Sequence, residues 1–365
     1  MKKFIPLLFL FPQIFTAQEN KDVFLGYSSV YATSVGKING DIKNYISGQQ
    51  ITIGKDLTNS NQEWVKYLSA KNINFNLVHL DMNQMQKDLW GRNYAFGDAY
   101  AATANIDFRL AKLGNVDLLF SPTVGLSYIT KTVYTDPDSY FFGSHLNAVF
   151  DAGLGMEYQF LRDFALTSKV SFLHFSNGGI QLPNAGVNTL AATVGIKKNI
   201  IASKKNEETN DEIIKSEMKK HGFEFSIGAG QRGKYKIKEA FYRVTFSSAY
   251  SYFINNMIGF KAGLDAVYYD QVFNPLVYDD SVPYWGKSYE HIRVGASLGT
   301  EIKMNKLSFN ANYGTYVYFK SPYNQNTYWK AGLRYYITPK MGIESMMYAH
   351  KVQADIISFG AFVRL

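Results

Sequence analysis

No cysteine occurs in the 365 residues, which excludes a disulfide framework and any thiolate-ligated metal. The absence suits an oxidising exterior, where a free thiol is a liability. It also excludes a lipoprotein anchor, because no cysteine follows the apolar segment at the N-terminus. Histidine is scarce, with six residues. His79, His145, His221, His291 and His350 show no paired spacing of the H-x₃-H type, so no metal and no other cofactor is implied. Beyond residues 4–11 there is no continuous apolar run of the roughly 20 residues that a membrane helix needs. The run Gly228-Ala-Gly230-Gln-Arg-Gly233 satisfies G-x-G-x-x-G but has no βαβ context, which excludes a dinucleotide role.

Aromatic residues are abundant where proline is not: 27 Tyr and 27 Phe stand against 9 Pro, and aromatics make up 16% of the chain. That balance suits apolar faces turned to lipid, with tyrosine-rich girdles at both water interfaces. Lys2 and Lys3 followed by the apolar run Phe4–Phe11 and the small Ala17 form an export leader, expected to span residues 1–17. The net charge of +8 favours an anionic surface. In an exported chain that surface is lipopolysaccharide rather than nucleic acid.

The dominant hydrophobic period is two. Leu307, Phe309, Ala311, Tyr313, Val317 and Phe319 alternate with Ser308, Asn310, Asn312 and Gly314. Ile292, Val294, Ala296, Leu298 and Ile302 oppose His291, Arg293, Gly295, Ser297 and Glu301. Within Tyr94–Leu110, Asn105, Asp107 and Arg109 oppose Ala104, Ile106, Phe108 and Leu110. Such runs exceed the usual globular strand of about 5–6 residues. They match the roughly 10 alternating residues of a tilted strand crossing an outer membrane. About 14–16 strands are expected in all. They fall into a first half at residues 18–203 and a second at 222–365, separated by a charged linker at 204–221. The expected fold is an all-β, antiparallel transmembrane barrel, one barrel of about 14–16 strands or, alternatively, two tandem eight-stranded ones. Longer connections at Gly36–Asn44, Thr132–Tyr140 and Phe273–Ser288 are expected on the cell exterior. Trp64, Trp90, Trp285 and Trp329 flank strand candidates as interface anchors. The last strand, Ile357–Leu365, alternates throughout, as expected of a strand that closes a barrel.

One constellation could carry chemistry. In the strand expected over Asp163–Phe175, Phe164, Leu166, Val170 and Phe172 form the lipid face, and Thr167, Lys169 and Ser171 the lumen face. Continuing that phase puts His174 and Ser176 on the lipid face at the strand end. The next strand, Asn188–Lys198, has Leu190, Ala192, Val194 and Ile196 in phase with Asn188. Pairing of the two strands would gather His174, Ser176 and Asn188 into one membrane-facing patch. A serine hydroxyl becomes a nucleophile when an imidazole accepts its proton, and a third group must orient that imidazole. Backbone N–H groups of Gly178-Gly179 and the amides of Asn177 or Asn184 could meet an oxyanion. Of the acids, Asp151 and Asp163 have lumen parity, and Asp98 lies several strands away.

The run His174-Phe-Ser176-Asn177-Gly-Gly179-Ile-Gln-Leu-Pro183-Asn184-Ala-Gly186-Val-Asn188 resembles the signature of the PagL-type lipid A 3-O-deacylases, grouped with acyloxyacyl-hydrolase-like proteins. The family pattern is His-x-Ser-Asn, then Pro-Asn-x-Gly, then a glutamate. The resemblance implies an outer-membrane barrel whose His and Ser hydrolyse the ester-linked acyl chain at position 3 of lipid A. It implies Ser176 as nucleophile, His174 as base, and Asn177, Gly179 and Asn184 around the oxyanion. The family's glutamate falls on Asn188, which can hold a histidine tautomer but supplies no negative charge. The layout matches over roughly Asp22–Asn199, and the family's small members lack the second half.

Two functions follow. One is a serine esterase acting on lipid A in the outer membrane. The other is a catalytically silent barrel, acting as a channel or as a structural partner in an outer-membrane complex. The oligomeric state is left open.

Overall fold

A backbone that crosses hydrocarbon must satisfy every N–H and C=O internally, which for strands means a sheet closed on itself. The computed structural model describes residues 22–35, 42–43, 45–89, 92–136, 139, 141–201, 220–234, 239–272, 288–321, 325–351 and 353–365. The expected leader at 1–17, most of the linker at 204–221, Trp90, Trp285 and most of the Gly36–Asn44 and Phe273–Ser288 connections lie outside the described residues.

In chain order the first half comprises β1 (Val23–Ser34), β2 (Ile42–Lys43), β3 (Tyr45–Asp56), α1 (Glu63–Leu68), β4 (Ala70–Asp81), β5 (Gln86–Leu89), β6 (Arg92–Ala95), β7 (Asp98–Leu113), β8 (Val116–Ile129), β9 (Leu146–Leu161), β10 (Phe164–Ser176) and β11 (Val187–Ile201). The second half comprises β12 (His221–Gly233), β13 (Ala240–Phe253), β14 (Ile258–Tyr269), β15 (Ile292–Met304), β16 (Leu307–Tyr318), β17 (Thr327–Thr338), β18 (Met341–His350) and β19 (Gln353–Arg364). Strands β1, β3, β4 and β7–β11 form one closed barrel, β12–β19 form another, and β2, β5 and β6 form a small separate sheet.

The single barrel of 14–16 strands expected from the sequence is therefore corrected to the alternative, two tandem eight-stranded barrels. The reason lies in the register. β1 pairs with β11 from Val23↔Ile201 to Ser34↔Thr189, so the first sheet has no free edge when the chain reaches the second half. The second barrel closes where β12 meets β19, from Glu224↔Arg364 to Ala229↔Phe359. The strand expected from Tyr94 begins instead at Asp98, because Gly97 turns the chain with a φ of 74° and residues 92–95 join the small sheet.

The two-residue period sets the faces. Val170, Phe172, Leu190 and Val194 point outward to lipid, as do Leu264, Leu298, Tyr313 and Val317 of the second barrel. Tyrosine and histidine rings stack along the rim at the long-loop end: Tyr31 on Tyr45, Tyr100 on His79, Tyr128 on His145 and Tyr268 on His291. This is the aromatic girdle expected of an outer-membrane barrel. Trp64 is a correction. It lies in α1, buried, in a cluster with Leu57, Val65 and Ala70 that also takes in Met257 of the second barrel.

An eight-stranded barrel is just wide enough for its side chains to fill. The first barrel is apolar at its extracellular end, where Ile46, Leu80, Met82, Phe96, Phe142 and Phe175 pack together. Its periplasmic end is charged, with Lys71 paired to Asp117 and Glu157, and Lys197 to Glu157. The second barrel stacks three polar layers. Lys261 and Arg334 hold Glu224 at 2.6 Å and also pair with Glu301. Lys330, Ser247, Ser297 and Tyr328 surround Asp265 at 2.5–2.7 Å. Arg243 and Tyr269 bind Asp355. Buried charges are tolerated when paired and hydrogen-bonded in this way. Between its two packed ends the first lumen keeps a polar cavity of about 140 Å³, lined by Ser28, Thr52, Asn76, Thr103 and Ser171 among others. With that lumen packed at both ends and the second layered with ion pairs, the protein reconstituted in planar bilayers is expected to carry no steady ion current. Reproducible ohmic conductance steps would contradict the closure of the lumens.

Candidate active site at the extracellular rim

β10 and β11 pair from Phe164↔Lys198 through His174↔Asn188 to Phe175↔Val187. Residues two apart on a strand share a face. The register therefore brings His174, Ser176 and Asn188 together on the outward face, continuing the row that includes Val170, Phe172 and Leu190. All three are half-buried. They stand at the end of the barrel that carries the long connections.

His174 Nδ1 lies 2.6 Å from Asn188 Oδ1. An amide oxygen only accepts, so Nδ1 carries the proton and Nε2 is left as a free base. The Phe150 ring flanks the imidazole, with centroids 6.4 Å apart. Gly186, at a φ of 67°, closes the other side. A Cβ there would stand 3.1 Å from His174 Cε1 and 3.0 Å from the Phe175 carbonyl, so a side chain at this position would crowd the imidazole.

Ser176 Oγ accepts two hydrogen bonds, from Asn184 Nδ2 at 2.8 Å and from the Gly178 N–H at 3.1 Å. Asn184 bridges, since its Oδ1 accepts the Asn177 N–H at 3.2 Å. A backbone bridge between Phe142 and Asn184 and the Ala185 N–H on the Phe141 carbonyl hold the Pro183-Asn184 segment. The Tyr134 hydroxyl donates to the Leu182 carbonyl at 3.2 Å. Burial raises its phenol above the ordinary value, against an opposing hydrogen bond with Gln181, so it remains a neutral donor.

Not every residue singled out in the sequence reaches the hydroxyl. The Asn177 side chain is buried and shapes the turn instead. Its Nδ2 donates to Ser144 Oγ and to the Gln181 carbonyl, each at 2.8 Å, and its Oδ1 accepts the Gly179 N–H at 2.8 Å. The Gly179 N–H is thus engaged, and the backbone donor at the serine belongs to Gly178. No hydrogen bond joins His174 Nε2 to Ser176 Oγ in this conformation.

The sequence offered the Gly178-Gly179 pair and pointed to Gly179, where the structure puts Gly178 at the serine; Ser144 as the brace was missed. Ser144 lies in a distant connection and carries no local signal. The positive φ values of Gly178 and Gly179, 64° and 83°, arise from a turn whose handedness a Gly-Gly pair permits but does not specify. Among the acids, Asp151 faces the lumen and pairs with Lys169. Asp98 pairs with His79 across β4 and β7 at 3.3 Å. Asp163, given lumen parity by the alternation, instead sits exposed in the turn before β10, at the opposite rim.

Asn177→Ala removes three hydrogen bonds from a buried turn. It is expected to cost about 1–3 kcal/mol and to speed amide exchange at Gly178 and Gly179, read by hydrogen–deuterium exchange. Unchanged exchange would show that Asn177 does not hold the turn.

Two family models match this chain. Residues 45–197 match the family described as lipid A 3-O-deacylase (PagL), and residues 221–365 match the acyloxyacyl hydrolase C-terminal domain. No curated protein matches it in sequence. Among solved structures, the outer-membrane enzyme PagL is 14% identical with a TM-score of 0.29, the match covering 48% of this chain and 99% of that one. CdiB from Acinetobacter baumannii is 10% identical with a TM-score of 0.20, over 95% of this chain and 61% of that one. The TodX monoaromatic hydrocarbon channel is 9% identical with a TM-score of 0.18, over 95% and 89%.

Proposed function

The chain belongs to the lipid A 3-O-deacylase (PagL) family, its first barrel through the deacylase model and its second through the C-terminal one, and on that premise we propose that it is a serine esterase that removes an ester-linked acyl chain from lipid A. It is a multi-pass protein of the outer membrane. The observation that carries the proposal is the outward-facing cluster at the extracellular rim, with His174 Nδ1 held 2.6 Å from Asn188 Oδ1 on the strand adjoining Ser176.

The depth suits the substrate. The apolar row of Val170, Phe172 and Leu190 meets acyl chains, and the polar cluster follows it where an acyl ester joins the lipid A headgroup. Ser176 Oγ attacks the acyl carbonyl while His174 Nε2 takes its proton. The carbonyl oxygen becomes an oxyanion on the carbon now bonded to Oγ. The Asn184 amide and the Gly178 N–H, which already converge on Oγ, are the donors within reach of it. Collapse breaks the ester bond, and the lipid A hydroxyl leaves with the proton from His174. Water, deprotonated by the same imidazole, then releases the fatty acid from Ser176. Asn177 and Gly179 serve by shaping the turn.

Asn188 is the weak member. It fixes the imidazole tautomer but cannot balance the charge of imidazolium. That observation favours a second reading, a silent barrel that retains the geometry. The packed ends of the first lumen and the ion-paired layers of the second oppose the channel form of that reading.

Mass spectrometry of lipid A from cells with and without the gene distinguishes the readings. Loss of one acyl chain is expected with the wild type and not with Ser176→Ala or His174→Ala. Identical lipid A in all four strains would overturn the esterase. Asn188→Glu restores the missing charge and is expected to raise turnover by about 10²- to 10⁴-fold. Unaltered turnover would show that His174 does not work through residue 188.

A further inference from the structure

The glycine-spaced run of β12 lies where the two barrels meet. β19 pairs with β12 only as far as Ala229↔Phe359. Beyond that point the Gly233 N–H donates to the Gly179 carbonyl at 2.9 Å, so the turn after Ser176 is tied to the rim of the second barrel. A Cβ on Gly179 would fall on the Arg232 guanidinium, and one on Gly178 would fall on the Ile357 side chain, so both glycines are pressed against second-barrel side chains. At the opposite rim, α1 packs near Met257, Ile258 and Met304, and Asn256 Nδ2 donates to Glu63 Oε2 at 3.1 Å.

Arg232 is the unusual member of this junction. It is 3% exposed, its Nη1 donates to the Ala354 carbonyl at 2.6 Å, and its Nε has no hydrogen-bond partner among the described residues. Burying a guanidinium is costly unless it is well paired. The nearby carboxylate, Asp355, already serves Arg243 and lies near Arg293 as well, so among the described residues positive charge is in excess around it. That excess borders the turn whose Gly178 N–H is directed at Ser176, where fixed charge is most effective.

We propose that Arg232 of the second barrel is a positioning residue for the deacylase site, pressing the Gly178–Gly179 turn into the geometry that directs the Gly178 N–H at Ser176, so that the two barrels form one catalytic unit. The proposal rests on the reading of Ser176 as nucleophile.

Two measurements test it. The first is independent of activity. With no native cysteine in the chain, Gly178→Cys and Ile357→Cys together offer one possible pair. A Cβ on Gly178 would lie 4.0 Å from that of residue 357, within the range a disulfide spans. Oxidation of the full-length protein in outer-membrane vesicles is expected to give a peptide linked between the two barrels, found by mass spectrometry after digestion. Its absence would overturn the junction.

The second is deacylation kinetics on lipid A in mixed micelles. Arg232→Met is expected to lower kcat by about 10- to 100-fold, the scale of a misplaced reacting group, with KM changed by less than about threefold. Arg232→Lys should recover part of the loss, and Asn256→Ala, at the far rim, should match the wild type. Heat-modifiable migration on gels checks that each variant is folded. Where Arg232→Met does not fold, Ile357→Ala, which opens the packing over Gly178, takes its place with the same fall in kcat expected. A kcat within about twofold of wild type in either folded variant would refute the positioning role. A wild type that deacylates nothing would overturn the functional reading, and the catalytic role of Arg232 with it, while the cross-link still decides whether the turn rests on the second barrel.

Discussion

Everything in this molecule depends on the hydrogen-bonding demand of a backbone in hydrocarbon. An unpaired strand edge facing lipid costs several kcal/mol per group, so each sheet must find its own first strand. β1 meets β11, and β12 meets β19. Closure after eight strands rather than sixteen gives narrow lumens, and narrow lumens must be filled. The apolar pack at the extracellular end of the first barrel and the layered carboxylates of the second are two solutions to that problem. They close the interior and leave the outer wall as the place for the proposed chemistry.

The same pleat that segregates lipid-facing from lumen-facing side chains aligns the candidate catalytic ones. His174 and Ser176 are two residues apart on one strand, and Asn188 is the cross-strand partner of His174. Polar residues on this wall are tolerated because they lie at the rim, where water and headgroups begin. Behind them a web of side-chain amides, from Asn177, Asn184 and Asn188, does the orienting that charged groups do elsewhere. An amide web fixes direction without carrying charge. Bringing Arg232 against the turn from outside the first barrel returns a positive charge to it.

Much of this was legible in the sequence. Alternation identified the strands and their outward faces, and it placed Asp151 in the lumen, where Lys169 holds it. The pairing of His174 with Asn188 followed from two phases and one turn. Barrel number did not follow, because alternation reports which face a residue takes but not which strand closes on which. The turn after Ser176 was also beyond reach. Whether Gly178 or Gly179 presents its N–H depends on Asn177 folding back to bind Gly179, and on Ser144 arriving from another loop. Trp64 was misassigned for a related reason, since a lone tryptophan beside a strand looks the same whether it anchors in headgroups or packs beneath a neighbouring barrel.

The junction has a consequence for traffic in the membrane. On the proposed function, a substrate anchored by its own acyl chains would not reach the cluster from solution; it would drift sideways in the leaflet until it met the wall of β10 and β11. The second barrel stands against that wall's own turn, so part of the circle of approach is closed. Encounters then depend on the crowding and fluidity of the leaflet and on which arc of the wall is left open. Two cylinders joined at their rims would thus act as a fence as well as a scaffold.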